Sequence, residues 1–295
     1  MRYYFIVNPI SGSGRGEKLF SEARKILDHR GVDYDYALTA RKGHAPELAR
    51  RALCAGETCI VAVGGDGTTQ EVASVLAGTD AVMGLLPFGT GNDFARAVGL
   101  NKDVESAVGH LLRHEVRKVD GAYANDSFFV NVAGFGFDVD VVLYTEKYKK
   151  RFNGMLPYML GILQALAHLH PVEMTITVEG EARPYRALMM DACNGIYFAG
   201  GMKVAPQASA LDGILDISVM KAMSIPAFLM LLPRFIKGEH LSSPRFDYFK
   251  AERVEVQTRE ETMLNLDGEL GTSTPVVFRA AKGALNFIVG DLPDA

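Results

Sequence analysis

The stretch GGDGTTQEV, residues 64–72, directly follows the apolar run CIVAV, residues 59–63. Gly64, Gly65 and Gly67 leave the backbone open to close approach, and the residues after them read as a helix start. A helix N-terminus collects unpaired N–H groups and the positive end of the helix dipole, so this loop has the make-up of a phosphate site. Asp66 is the odd residue in it, because a bare carboxylate repels phosphate. It fits if Mg²⁺ lies between the two, if it orders a neighbouring loop, or if it bonds turn amides. Thr68 and Glu71 have S/T-x-x-E spacing, which reads Glu71 as the second half of a capping box. Two more Gly-rich loops repeat the theme: NPISG (8–12), and PFGTGNDF (87–94), where Asn92-Asp93 is suited to capping a helix. Near the end, LNLDGE (264–269) sets Asp267 beside Gly268. That dipeptide is a strong hairpin signal, and it is also a carboxylate on a site of close approach.

The elements that must hold these residues alternate in the first third of the chain. YYFIV, YDYALT, CIVAV and AVMGLLP read as strands. Helices lie between them, one through EKLFSEARKILDHRG with Gly31 at its end and one through PELARRALC with Pro46 in its first turn. DFARAVG and VESAVGHLLR are further helical segments. Such alternation implies a parallel sheet covered on both faces, with ligands at the carboxyl ends of its strands, where the Gly-rich loops fall. After about residue 122 the pattern turns to antiparallel β. KVDGAYANDSFFVNVAG reads as a hairpin turning at Asn125-Asp126, and VEMTITV and RVEVQT alternate with period two. RALMMDACN, ILDISVM and PVVFRAA are further strands, with helical insertions near 138–168 and 225–237. There is no GxxxxGK[ST] and no set of protein-kinase motifs, which excludes a P-loop NTPase and a protein kinase.

NPISG, VGGDGTTQEV, PFGTGNDFARA, VDGAY, GFGFD, ALDGILDI and LNLDGE occur in that order. In this the chain resembles, along essentially its whole length, the soluble bacterial diacylglycerol kinase and lipid kinase family, relatives of sphingosine and ceramide kinases and more distantly of NAD kinases. Gln70 departs from that pattern, which carries Asn or a smaller polar residue there. The resemblance implies two domains. Residues 1–122 with 285–295 would form an N-terminal parallel α/β nucleotide-binding domain, and residues 123–284 a C-terminal antiparallel β-sandwich-like domain with helical insertions. It implies transfer of the γ-phosphoryl group of ATP to a lipid hydroxyl with Mg²⁺; diacylglycerol giving phosphatidic acid is the first candidate, and phosphatidylglycerol, a long-chain base and an isoprenoid alcohol present the same group beside an apolar chain. Asp267 is then the general base, with Asp66 as its rival and Glu269 orienting or capping. Nucleotide contacts fall on Asn8, Pro9, Ile10, Ser11, Gly12, Thr39, Gly65, Asp66, Gly67, Thr68, Thr69, Gln70, Glu71 and Thr90. Asp66, Asp93 and Asp120 would form a carboxylate and water network around the catalytic Mg²⁺. A second, structural Mg²⁺ would take the Asp212 side chain and the carbonyl oxygens of Ser209 and Ile214, a segment that otherwise reads as an Asp-Gly turn.

The chain has 295 residues, 48% of them hydrophobic, and a net charge of −4, a balance that argues against a general nucleic-acid binder. Three cysteines without CxxC spacing fit a reducing compartment. Cys193 reads as a buried structural thiol, and the seven histidines show no ligand spacing, His168 and His170 facing solvent. The N-terminus lacks the apolar stretch of a signal peptide, so the expected place is the cytoplasm, peripheral to the inner membrane surface. A lipid acceptor needs a membrane. EKYKKRFNG (146–154), with Lys147, Lys149, Lys150 and Arg151, precedes the apolar MLPYMLGILQAL (155–166), and IPAFLMLLPRFIKG ends with Arg234 and Lys237. These segments suit an anionic interface or, equally, a core helix with solvated flanks. A homodimer is left open. The rival functions are a kinase of soluble NAD and a non-catalytic lipid- or nucleotide-binding regulator.

Overall fold

The computed structural model describes residues 2–149, 151–152 and 156–292. Of the sequence segments with expected roles, Lys150, Asn153, Gly154, Met155 and residues 293–295 lie outside the described residues. The chain forms two compact units. Unit 1 is Met1–Gly121 with Ala210–Gly213 and Ala281–Ala295; unit 2 is Ala122–Ser209 with Ile214–Ala280.

In unit 1, strands β1 (Arg2–Val7), β2 (Asp33–Leu38), β3 (Cys59–Gly64) and β4 (Val82–Pro87) are parallel, in the order β4-β3-β1-β2. The last strand, Val276–Ile288, ends beside β4, with Asn286 opposite Val82 and Phe287 opposite Met83. That return carries the segment ALNFIVGDL (284–292), whose place the sequence alone leaves open, into unit 1. Every residue of β3 is buried, as a central parallel strand requires. The helices Gly16–His29 and Val104–Arg113 set Phe20, Ala23, Leu27, Val108 and Leu111 into one core with Phe5, Val7, Val61 and Val63. Each Phe, Leu or Val among them contributes roughly 1.5–3 kcal/mol by leaving water. The Asp103 side chain caps the second helix by accepting from Ser106 N–H at 2.9 Å. Pairing of Val7 with Val63 and of Gly64 with Pro87 ends β1, β3 and β4 at one level, so their three loops leave the sheet side by side.

Unit 2 is antiparallel and centred on the long strand Glu181–Cys193. Its first half pairs with Val172–Val178; its second half lies between Val132–Gly136 and Leu215–Lys221. Along it Ala187, Met190 and Ala192 enter one core with Phe129, Ile217 and Val256, while Leu188, Met189 and Cys193 enter another with Phe228, Phe235 and Phe246. Two buried faces explain why ALMM (187–190) reads as a continuous apolar run rather than an alternating one. The strands Ser127–Phe129 and Val116–Ala124 form the expected hairpin, turning at Asn125-Asp126 with Asn125 at φ 54°.

Candidate functional site

The three Gly-rich loops of unit 1 interlock through their glycines. A Cβ on Gly89 would lie 2.2 Å from the Gly65 Cα, and one on Gly12, which stands at φ 58°, would lie 2.5 Å from the Phe88 carbonyl oxygen. A Cβ on Gly64 would meet Thr68 Oγ1 at 2.6 Å. Gly64 thus leaves room for Thr68 of the following helix, and Gly65 for the Gly89 backbone of the neighbouring loop.

Asp66 opens the helix Asp66–Leu76 and caps a different one. Its Oδ1 accepts from Asp93 N–H at 2.7 Å and Phe94 N–H at 3.3 Å, at the start of the short helix Asp93–Ala97. Of the readings open for Asp66, the ordering of a neighbouring loop is thus realised, and Oδ2 takes no part in that cap. The Asn92 side chain folds back on the Gly89 turn, accepting from its N–H and donating to its carbonyl. The Asp93 carboxylate is held by Arg96 at 2.6 Å.

The capping box is not formed. Gly65 is the N-cap, without a side-chain bond, and Thr68 lies one turn inside the helix, where Oγ1 accepts from the Asn8 amide at 3.1 Å. Glu71 instead accepts from Gly43 N–H at 2.9 Å, tying in the loop after β2. Thr68 is not the N-cap because the helix has already begun two residues earlier, at Asp66. Thr69 bonds Gly65 O, Thr39 N–H donates to Val7 O at 2.8 Å, and Asn8 Oδ1 accepts from Ile10 N–H. Ile10 is 78% exposed, Pro9, Ser11, Gly67 and Gln70 are half-buried, and Thr90 is exposed. The structure thus gathers Asn8–Gly12, Gly65–Glu71 and Thr90 around neighbouring strand ends, with Thr39 at the end of β2.

Asp120 does a separate job. Buried in unit 1, it accepts from Gly213 N–H at 2.7 Å and Gly283 N–H at 2.6 Å. Burial pushes its pKa up, against the two amides that lower it. Asp212 precedes Gly213, which stands at φ 78°, so the Asp-Gly turn expected there is present. One carboxylate with the carbonyl oxygens of Ser209 and Ile214 is an all-oxygen donor set, the chemistry a hard cation takes. Among the described residues no group of three His, Cys, Asp or Glu is placed to hold a metal, so the Asp66, Asp93 and Asp120 carboxylates do not form one cluster.

In unit 2, Asp267 and Gly268 form a two-residue hairpin between Met263–Leu266 and Glu269–Ser273, at φ 52° and 94°. The carboxylate also does more than turn the chain. Oδ2 accepts from Val130 N–H at 2.7 Å, and Oδ1 from Asn131 and Val132 N–H at 3.0 and 2.9 Å. Nothing lies within 4 Å of where a Cβ on Gly268 would point. Sequence reasoning left Asn265 and Asp138 without roles. Asn265 accepts from Gly268 N–H at 2.9 Å and donates to Asp138 at 3.1 Å. Their signal was present, since both stand inside quoted motifs, LNLDGE and GFGFD.

The helix Leu156–Ala167 buries Ala165 and exposes Leu156, Met159 and Leu163, which are 46–60% exposed. The helix Ile225–Lys237 buries Phe228 and Phe235 and leaves Met230 77% exposed. Each is a core helix on one face and apolar toward solvent on the other. No helix among the described residues is long and apolar enough to cross a membrane. Cys193 is fully buried and burial pushes its thiol up, while His168 and His170 are exposed, as read from the sequence.

The family profile of the diacylglycerol kinase catalytic domain matches residues 2–124, and that of the YegS C-terminal NAD kinase beta sandwich-like domain matches residues 131–289. A diacylglycerol kinase of Bacillus subtilis is 31% identical over 94% of this chain and 92% of its own. One of Mycobacterium tuberculosis is 29% identical over 96% and 93%. A crystal structure of a diacylglycerol kinase from Bacillus anthracis superposes with a TM-score of 0.81 at 26% identity, covering 98% of this chain and 97% of that one.

Proposed function

The chain belongs to the diacylglycerol kinase family, and on that premise we propose that it transfers the γ-phosphoryl group of ATP, with Mg²⁺, to the hydroxyl of diacylglycerol, giving phosphatidic acid. The observation that carries this is the set of three interlocked Gly-rich loops at the ends of β1, β3 and β4. Phosphoryl transfer asks the protein mainly for positioning and electrostatics. The first-turn N–H groups of Asp66–Leu76 suit phosphate oxygens, and exposed Thr90 and the Asn8–Gly12 turn border them. Bound Mg²⁺ would offset charge on the phosphoryl oxygens, and Asp66 Oδ2, which the helix cap leaves unused, is the atom able to face it. The second Mg²⁺ would take Asp212 with the Ser209 and Ile214 carbonyls.

In this proposal Asp267 takes the proton of the acceptor hydroxyl as its oxygen attacks the γ-phosphorus, and ADP leaves. The open side of Gly268 supports that assignment by giving the acceptor room. A second reading has Asp66 as the base, supported by its single committed oxygen against the two that Asp267 uses. The exposed apolar residues of Leu156–Ala167 would rest on the membrane that supplies the acceptor, at the cytoplasmic face.

The test is purified protein with γ-labelled ATP, Mg²⁺ and mixed micelles. Diacylglycerol, phosphatidylglycerol, a long-chain base and an isoprenoid alcohol are offered separately, and NAD without lipid. Label in diacylglycerol, lost in Asp267→Asn and kept in part by Asp66→Asn, supports the proposal. Label only in NAD makes it an NAD kinase. ATP binding without label anywhere supports the regulator.

A further inference from the structure

Behind the Asp267–Gly268 turn, unit 2 buries two carboxyl groups that no ion pair among the described residues accounts for. Asp191 is fully buried on the strand Glu181–Cys193, and neither of its oxygens has a hydrogen-bond partner. Gly134, on the adjacent strand, leaves room for it: a Cβ there would lie 2.2 Å from Asp191 Oδ1. Asp138, 7% exposed at the start of the helix Phe137–Lys149, has one unpartnered oxygen and one bonded to Asn265. An apolar pair would pack at this place without the desolvation cost, so stability alone does not explain these groups.

The hydrogen bonds lead from Asp138 to the turn. Asn265 Nδ2 donates to Asp138 Oδ2, and Asn265 Oδ1 accepts from Gly268 N–H. Asp267 closes the circuit, since its carboxylate takes the amides of Val130, Asn131 and Val132, and its own N–H donates to Val132 O. Val132 starts the strand Val132–Gly136, which runs directly into Phe137 and Asp138. A side-chain amide can be turned over at little cost, and then its NH₂ would face the Gly268 N–H. The accepting oxygen of Asp138 fixes the productive orientation. Burial pushes both carboxyls up; the Asn265 amide donates to Asp138 Oδ2 and supports a charged acceptor there, whereas no donor among the described residues faces either Asp191 oxygen.

We propose that Asp138 is a positioning residue for phosphoryl transfer: it orients the Asn265 amide, and Asn265 holds the Asp267–Gly268 turn in the geometry that presents Asp267 to the acceptor hydroxyl. This rests on the reading of Asp267 as proton acceptor.

The experiment compares Asp138→Ala, Asp138→Asn, Asn265→Ala, the double alanine variant and Asp267→Asn in the full chain, with diacylglycerol micelles and γ-labelled ATP. Each alanine variant is expected to lower kcat about 10–100-fold with both KM values within about twofold, as misplacement of a reacting group does. The double variant should be no slower than the slower single, because both act along one path. Asp138→Asn keeps an accepting oxygen and should recover about fivefold over Asp138→Ala. Hydrogen exchange at the Gly268 amide should quicken in both alanine variants. Asn265→Ala and Asp138→Asn carry the test if Asp138→Ala does not fold. Wild-type kcat in the alanine variants, multiplying losses in the double, or unchanged Gly268 exchange overturns the positioning role alone. An active Asp267→Asn brings down the proton-acceptor reading, and the positioning role with it.

Discussion

At residue scale, glycines of the same type do opposite work. Gly89 faces the Gly65 backbone, which cannot yield as a flexible side chain would. Gly89→Ala should therefore cost roughly 2–4 kcal/mol in urea unfolding. Gly268→Ala meets no atom and carries only the strain of φ 94°, about 1–2 kcal/mol. Equal losses in the two variants would contradict the interlock. His240 gives a residue-scale prediction of another kind. It lies fully buried between the Phe235 and Phe246 rings, at 4.7 and 4.5 Å, and burial pushes it down to about 4 from 6.5. The unfolded chain then protonates first, so the neutral core histidine stabilises fully above pH 6.5 and loses that contribution as pH falls toward 4. Over the whole window this approaches about 3 kcal/mol. The stability of wild type relative to His240→Leu should fall between pH 7 and 4.5, the buried Asp138 and Asp191 cancelling in the difference. A constant difference would show that His240 does not titrate in that window.

At element scale, the parallel strands and their helices were legible because each is a periodic pattern with its own punctuation: Pro46 near the start of Ala45–Cys54, Gly31 just past Gly16–His29. What caps what was not legible. Asp66 caps a helix that begins at Asp93, 27 residues along, and no local spacing encodes that partner. The capping-box spacing of Thr68 and Glu71 misled for the same reason: Gly43 reaches Glu71 from another loop. The apolar helices were ambiguous because they have two apolar faces. Leu156, Met159 and Leu163 follow i, i+3, i+7, one stripe on the outer side of a helix whose inner side is packed. Changing all three to Gln should leave Tm nearly unchanged, since exposed substitutions away from caps and cores stay within about 0.5 kcal/mol each. Co-sedimentation with anionic vesicles should fall about tenfold. Replacing Lys147, Lys149, Lys150 and Arg151 by Gln should weaken it further at low salt, and undiminished vesicle binding in both variants would remove this surface from the proposal.

At the scale of the whole molecule, the chain enters unit 1 three times, as Met1–Gly121, Ala210–Gly213 and Ala281–Ala295. The sequence offers almost no sign of the middle visit, because four residues around an Asp-Gly turn carry no periodicity. Asp120 bonds to both returning segments, beside the pairing of the last strand with β4. It sits on the strand Val116–Ala124, its N–H donates to Ala210 O at 2.8 Å, and its carboxylate takes one amide from each returning segment. A shorter or neutral side chain there must leave two buried N–H groups short of a strong acceptor, at about 1–3 kcal/mol each. Asp120→Ala should therefore lose roughly 2–4 kcal/mol of stability. Exchange should quicken at Gly213 and Gly283 before it quickens in β3, since the strands of the sheet do not depend on these bonds. Asp120→Asn, with one oxygen left to accept, should lose less, and its Gly213 and Gly283 amides should differ in protection. Were Asp120 instead a member of the nucleotide site, Asp120→Asn would keep its stability and lose ATP binding, so measuring unfolding and nucleotide affinity on the same two variants separates the joint from the site.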